Sequence, residues 1–283
     1  MSISVFIKRH PVLTYFALTF TISWGGILTV IGPGGIPGTT AQIENLFPIA
    51  LMTLLVGPSV SGILLTGLIY GREGFREFLS RLLKWRVNVR WYVVALLATP
   101  FLVTVTLLVL SLSSPAFLPG IFTTDDKASL LLTGIAVGLM GGLLEELGWT
   151  GFAVPKLRLR YGVLTTGLIV GFLWGAWHFL VTFWASGDSS GALSLPLLLP
   201  PLLFYAVLLP AYRVLMVWVY DRTESLLVAI LMHASLTAST VFILQPQATA
   251  LVTYYLVLSA VLWIFVAVVA VAKGGKLSRH PLG

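Results

Sequence analysis

Two carboxylates and two imidazoles lie inside long apolar stretches of this sequence. Glu145 and Glu146 are adjacent, and His178 and His233 follow in two later apolar stretches. The other eight acids lie in connections or at the ends of the apolar stretches: Glu44, Glu73, Glu77, Asp125, Asp126, Asp188, Asp221 and Glu224. Because an ionisable side chain within a bilayer costs ~2.5–3.5 kcal/mol on insertion scales, the four buried groups are candidates for function.

Together these residue types suit the attack of water on an amide carbonyl. A carboxylate in a low-dielectric cavity can act as a general base, and a nearby imidazole can hold the same water. A second imidazole with a hydroxyl beside it, such as His233 with Thr237 one turn later, could stabilise the oxyanion, an effect often worth ~10²–10³ in rate. Glu145 and Glu146 are ~100° apart on a helix, so one can enter a cavity while the other pairs with a neighbour.

The composition places these residues in a membrane. Hydrophobic residues make up 58% of the 283 residues and charged ones 10%, whereas a soluble domain carries about a quarter charged residues. The net charge of +7 comes from basic residues between the apolar stretches, which indicates membrane orientation and not nucleic-acid binding. The absence of cysteine excludes disulfides, thiolate metal sites and cysteine nucleophiles.

Eight stretches are long enough to cross a bilayer, which needs ~20 apolar residues in a helix. They lie at about 11–32, 47–70, 91–115, 130–155, 162–185, 196–220, 224–244 and 249–272. If the helices alternate in direction, sixteen of the seventeen Lys and Arg residues share one side, and only Lys127 lies on the other. The sequence therefore predicts an all-α polytopic helix bundle, a single transmembrane domain over residues 1–283, in the cell membrane with both termini cytoplasmic.

Two local patterns refine this prediction. In the connection 72–90, apolar residues recur at helical spacing among basic ones: Phe75, Phe78, Leu79, Leu82 and Trp85. This favours an amphipathic helix on the cytoplasmic membrane surface over an ordinary solvated loop. Kinks are expected in helix six at its prolines: Pro196, Pro200, Pro201 and Pro210.

Three short motifs resemble those of the CPBP intramembrane endopeptidases, the family of type II CAAX prenyl proteases and bacteriocin-processing Abi proteins. The family's Glu-Glu-x-x-x-Arg appears as Glu145-Glu146-Leu147-Gly148-Trp149-Thr150. An aromatic residue, three residues and His appear as Trp174 to His178, and His-x-x-x-Asn appears as His233 to Thr237. The resemblance covers roughly residue 57 to the C-terminus, with a protease core at about 125–245 on helices four to seven.

The resemblance implies a role for each residue. Glu145 would activate water together with His178, and His233 would form the oxyanion site with Thr237 at the position of the family's Asn. Glu146 would orient or support Glu145. Two departures stand out, since Thr150 replaces the motif Arg and Thr237 the motif Asn.

The missing motif Arg leaves Glu146 without its partner one turn away. Arg213, in the last turns of helix six, could take that place, or Glu146 could be protonated. Taken alone, Arg213 is interpreted as a residue snorkelling to the inner interface. Trp149, Trp174 and Trp177 are interpreted as packing residues, and Thr237 as bonding its own backbone one turn back.

The implied function is an intramembrane endopeptidase that hydrolyses a peptide bond of a peptide or protein substrate, for which lipidation is one family option. No cofactor is required by the sequence, but zinc bound by Glu145, His178 and His233 is an open alternative. A catalytically silent immunity factor or scaffold and a proton-coupled transporter are others. At ~1.5 Å per residue, Glu145 and His233 lie roughly 14–17 Å from the inner helix ends and His178 nearer ~24 Å, so straight helices would not align them.

Overall fold

In the computed structural model, which describes residues 3–32 and 34–272, eight apolar helices are long enough to cross a bilayer. They are α1 (Pro11–Ile31), α2 (Thr40–Leu82), α3 (Val89–Ser111), α4 (Lys127–Arg158), α5 (Val163–Trp184), α6 (Leu195–Thr223), α7 (Leu226–Ile243) and α8 (Ala248–Val271). A short helix, Ile3–Arg9, precedes α1. The predicted helical class and helix count are confirmed. Lys273, Lys276, Arg279 and His280 lie outside the described residues.

Hydrogen bonds between connections define the two ends of the bundle. At one end, the Ser225 hydroxyl donates to the carbonyl of Lys84 at 2.7 Å. At the other, the Gly38 amide donates to the carbonyl of Trp184 at 2.9 Å. These bonds join the connections after α2 and α6 at one end and those after α1 and α5 at the other, as expected for helices that alternate in direction.

The two ends differ in charge. The first, called the basic end here, carries twelve of the described Lys and Arg residues: Lys8, Arg9, Arg72, Arg76, Arg81, Lys84, Arg86, Arg90, Lys156, Arg158, Arg160 and Arg222. The second, called the acidic end, carries Glu44, Asp125, Asp126, Asp188 and Lys127. That the basic end faces the cytoplasm stays a prediction.

The α2 helix changes direction at Gly71, whose φ of 60° and ψ of −143° are open to glycine because it has no Cβ. Residues 72–82 continue as a helix, with Phe78 buried and Leu79 49% exposed. A helix is confirmed over that range, and its amphipathic character stays a prediction. It ends before Trp85, and its position on a membrane surface stays a prediction.

Three of the long helices contain a π-helical turn. The turn in α6, Phe204–Leu208, lies between Pro201 and Pro210, where missing amide donors break the α-helical ladder. This agrees with the irregularity predicted for helix six. The turns Trp149–Ala153 in α4 and Ala238–Ile243 in α7 were not predicted, and the first begins three residues after Glu146.

Glycines bring the site-bearing helices into backbone contact. A Cβ on Gly138 would lie 2.6 Å from the carbonyl oxygen of Ala234, and one on Gly142 2.6 Å from that of Ile230. Helices α4 and α7 therefore meet without intervening side chains. This close approach places the two glutamates of α4 beside the histidine of α7.

Candidate active site

Glu146 and Arg213 form a fully buried ion pair between α4 and α6. Arg213 Nη1 donates to Oε2 and Nη2 to Oε1, both at 2.8 Å. Thr150 Oγ1 donates to Oε2 at 2.5 Å. Neither charged side chain has exposed surface, so the interpretation of Arg213 as a snorkelling residue is wrong. The buried carboxylate of Glu146 directs Arg213 inward. The guanidinium of Arg213 takes the place of the motif Arg.

His233 links the two glutamates. Its Nδ1 is 2.8 Å from Oε1 of Glu146, and its Nε2 is 3.7 Å from Oε1 of Glu145. Because Glu146 already pairs with Arg213 as a carboxylate, His233 Nδ1–H is the donor in the short bond. The Nε2 atom is therefore turned towards Glu145, at a distance longer than a hydrogen bond.

Glu145 is held by two indoles. Trp174 Nε1 donates to its Oε2 at 2.5 Å, and Trp149 Nε1 donates to the same oxygen at 3.3 Å. Its other oxygen, Oε1, is the one nearer to His233. Trp149 and Trp174 are buried and pack as interpreted, but each also donates to Glu145, which was not predicted. Trp177 does pack, against Trp149 with ring centroids 5.6 Å apart.

His178 is fixed on both sides. Its Nδ1 is 2.9 Å from the carbonyl oxygen of Trp174, and its ring stacks on Tyr205 at 4.1 Å with a 10° interplanar angle. Since a carbonyl only accepts, Nδ1 carries the proton, and Nε2 of the neutral ring is free to accept one. No hydrogen bond joins His178 to a glutamate within residues 3–32 and 34–272. Trp174 connects them, with its indole on Glu145 and its carbonyl on His178.

One cavity of about 330 Å³ contacts four of the five residues singled out in the sequence: Glu145, His178, His233 and Thr237. Glu146 lies behind its wall. The Thr237 hydroxyl makes no hydrogen bond within the described part of the chain, so the expected bond to its own backbone is not seen. The rest of the lining is mostly apolar.

The zinc alternative depends on three ligands converging on one point. Across the described ranges, no group of three His, Cys, Asp or Glu side chains is arranged to hold a metal ion. His178 bonds to Trp174 and stacks on Tyr205, and within the described residues it makes no hydrogen bond to Glu145. The donor set of Glu145, His178 and His233 does not fit a three-ligand zinc site in this arrangement.

Sequence reasoning missed Tyr205 as a residue of the site, and it offered Arg213 only as one of two alternatives for Glu146. Arg213 lies ten residues before the end of α6 at Thr223, about 15 Å along a helix. At that depth the Arg213 side chain cannot easily reach the interface by snorkelling. Its position in the sequence was therefore a usable signal for a buried partner. The sequence carried no such signal for Tyr205, which stacks under His178, because its position depends on how α5 and α6 pack.

The sequence is similar to those of known CAAX prenyl proteases. Residues 127–239, which carry Glu145, His178, Arg213 and His233, match the sequence model of the Rce1-like type II CAAX prenyl endopeptidases. The chain is 26% identical over 183 residues to CAAX prenyl protease 2 of Methanococcus maripaludis. That alignment covers 62% of this chain and 64%, less than two thirds, of the relative. The chain is a multi-pass membrane protein, and its residues 127–239 are similar to the Rce1-like type II CAAX prenyl endopeptidases, the CPBP family that its motifs resemble.

Proposed function

We propose that this protein is an intramembrane endopeptidase that hydrolyses a peptide bond of a peptide or protein substrate, with Glu145 as the general base. The observation that carries the proposal is the environment of Glu145. One carboxylate oxygen accepts hydrogen bonds from two indoles, and the other is near His233 at the wall of a cavity. A carboxylate held in this way has a fixed direction and a site for water in front of it.

In the proposed reaction, water lies between Glu145 and the free Nε2 of His178. Glu145 takes one proton of the water as its oxygen bonds to the carbonyl carbon, and the carbonyl electron pair moves onto oxygen. His233 Nε2–H and the Thr237 hydroxyl donate to that oxyanion. When the carbon–nitrogen bond breaks, the proton on Glu145 passes to the leaving amine. The products are a carboxylic acid and an amine.

The Glu146–Arg213 pair supports this step without touching substrate. With His233 doubly protonated, the charges of Glu145, Glu146, Arg213 and His233 sum to zero, which suits an apolar surrounding. Glu146 accepts from Nδ1 and thereby turns Nε2–H of His233 towards the cavity. Arg213 holds Glu146 in the ionised form that this bond requires.

The proposal is tested with purified protein in proteoliposomes. The probes are quenched-fluorescence peptides, including one CAAX-type peptide in farnesylated and unmodified forms. Glu145→Gln removes the base and keeps the shape, so we expect cleavage to fall by ~10²-fold or more. Glu44→Gln, at an exposed acid of the acidic end, is the matched control and should cleave normally. No cleavage by the wild type would leave the silent immunity factor or scaffold as the better account, and equal cleavage by wild type and Glu145→Gln would remove Glu145 as the base.

A further inference from the structure

A second cavity, of about 420 Å³, lies at the basic end, where α1 begins, α4 ends and α2 changes direction. It is called the cationic cavity here. Leu13 of α1 lines it together with Lys156 of α4 and Arg160 of the turn that follows. Tyr70 also lines it, directly before Gly71, where α2 changes direction. Membrane-spanning segments end where the hydrocarbon core meets the lipid headgroups, so we place this cavity at the level of the headgroups.

The charged side chains of the cationic cavity all have the same sign. Arg9, from the short helix before α1, joins Lys156 and Arg160, and the described lining residues include no aspartate or glutamate. Within residues 3–32 and 34–272, none of these three cations forms an ion pair or donates a side-chain hydrogen bond. The Lys156 ammonium lies 4.0 Å from the centre of the Tyr70 ring, a contact that holds it in place without neutralising its charge.

Another cavity at the basic end, of about 490 Å³, has the opposite arrangement. There Lys84 pairs with Glu224 at 3.0 Å, and Arg158 Nε donates to Asp221 at 3.0 Å. Arg158 lies in sequence between the two cations that the end of α4 gives to the cationic cavity, yet it turns into the bundle and is 1% exposed. The cations of this other cavity are therefore matched by acids of the chain, whereas a counter-charge for the cationic cavity would come from outside the described residues.

We propose that the cationic cavity binds the phosphate headgroup of an anionic phospholipid in the leaflet at the basic end. Basic pockets between membrane-spanning helices suit such headgroups. Exposed apolar side chains, Leu13 and Leu159, line the cavity beside the cations, so a lipid can place its phosphate on the cations and its acyl chains on the apolar surface. A soluble anion would use the cations alone. A zwitterionic headgroup would bring its own ammonium close to three like charges, which is unfavourable.

The binding of the lipid is measured with the purified full-length protein, without any peptide substrate, so the result does not depend on the hydrolase proposal. The protein is titrated in one detergent with phosphatidylglycerol or with phosphatidylcholine of identical acyl chains, and bound lipid is counted by native mass spectrometry. At roughly fivefold for each of three cations, we expect the wild type to prefer phosphatidylglycerol by about a hundredfold.

Two variants remove the cations from different helices. Lys156→Gln with Arg160→Gln should weaken the binding of phosphatidylglycerol by about 25-fold and leave that of phosphatidylcholine nearly unchanged. Arg9→Gln should weaken it by about fivefold. The matched control is Arg72→Gln with Arg76→Gln, since these two cations are also four positions apart and are exposed at the basic end but do not line the cavity. The control should bind phosphatidylglycerol nearly as tightly as the wild type.

Three results would overturn the inference. Equal binding of the two lipids by the wild type would mean that no anionic headgroup is selected. Equal losses in the two double variants would assign the preference to diffuse surface charge and not to the cavity. Displacement of phosphatidylglycerol by an equal concentration of glycerol phosphate would assign the cavity to a soluble anion, because the acyl chains would then add nothing to binding.

Discussion

Arg213 binds both carboxylate oxygens of Glu146 at 2.8 Å, and so α6 provides the cation that the family motif places on α4. Thr150, at the motif position, donates a hydroxyl hydrogen bond to the same carboxylate. A planar guanidinium suits this two-point contact, since it presents paired donors in a fixed geometry. The departure of this chain from the motif therefore changes which helix carries the charge and not whether Glu146 has a partner.

Removing one member of this pair should cost more stability than removing both. Arg213→Met leaves Glu146 buried without its cation, which is expected to cost about 3–5 kcal/mol. The double variant Glu146→Gln with Arg213→Met should unfold closer to wild type. Thermal unfolding of the four proteins in one detergent measures the coupling between the two sites. Strictly additive losses would mean that the two side chains do not act as a pair.

The hydrogen bond from Trp174 to Glu145 should matter more than the packing of its ring. Trp174→Phe keeps an aromatic ring and removes the N–H, and a bond to a charged group is worth ~1.5–3 kcal/mol, or roughly 10- to 150-fold in rate. Trp184→Phe is the control, because that buried indole N–H has no partner within the described residues. Peptide cleavage at saturating substrate compares them. Similar kcat losses in both variants would assign the effect to packing.

The stack between His178 and Tyr205 should depend on the ring and not on the phenol. Tyr205→Phe keeps the 4.1 Å stack and should retain activity near wild type. Tyr205→Leu removes an aromatic contact worth ~0.5–1.5 kcal/mol, so we expect cleavage to fall roughly two- to tenfold. The measurement is the rate of peptide cleavage by the two variants and by the wild type. If Tyr205→Phe lost as much as Tyr205→Leu, the hydroxyl and not the stack would be the working group.

Close contact between α4 and α7 should be essential for the site. In Gly142→Val the new side chain would meet the carbonyl of Ile230, so the helices must separate and His233 must leave the glutamates. We expect lower thermal stability and little cleavage. Gly25→Ala is the control, since no heavy atom lies within 4 Å of its Cβ position. Cleavage by Gly142→Val at the wild-type rate would mean that the site tolerates a wider spacing.

The sequence predicted what depends on pattern along the chain. Eight apolar stretches gave the helices, and rare intramembrane acids and histidines gave Glu145, Glu146, His178 and His233, which the fold gathers in one region. The partners of these residues could not be fixed in the same way, since Arg213 was one of two alternatives for Glu146 and Trp174 was interpreted as a packing residue. Trp174 donates to Glu145 across 29 positions and Arg213 to Glu146 across 67, and such contacts depend on the packing of helices.

The depth difference expected for His178 stays a prediction. Within the described residues His178 hydrogen-bonds to neither glutamate, and Trp174 joins it to Glu145 through an indole bond on one side and a carbonyl bond on the other. The contact through Trp174 depends on the orientation of its side chain, which the spacing of residues along the chain does not determine.

The origin of the oxygen in the product tests the central claim, that Glu145 activates water for direct attack. A single turnover is run in water enriched in heavy oxygen, with excess protein in proteoliposomes, and the new carboxyl terminus is analysed by mass spectrometry. We expect one heavy oxygen atom in the product of the wild type and no detectable product from Glu145→Gln. A first-turnover product without heavy oxygen, or undiminished cleavage by Glu145→Gln, would contradict this account.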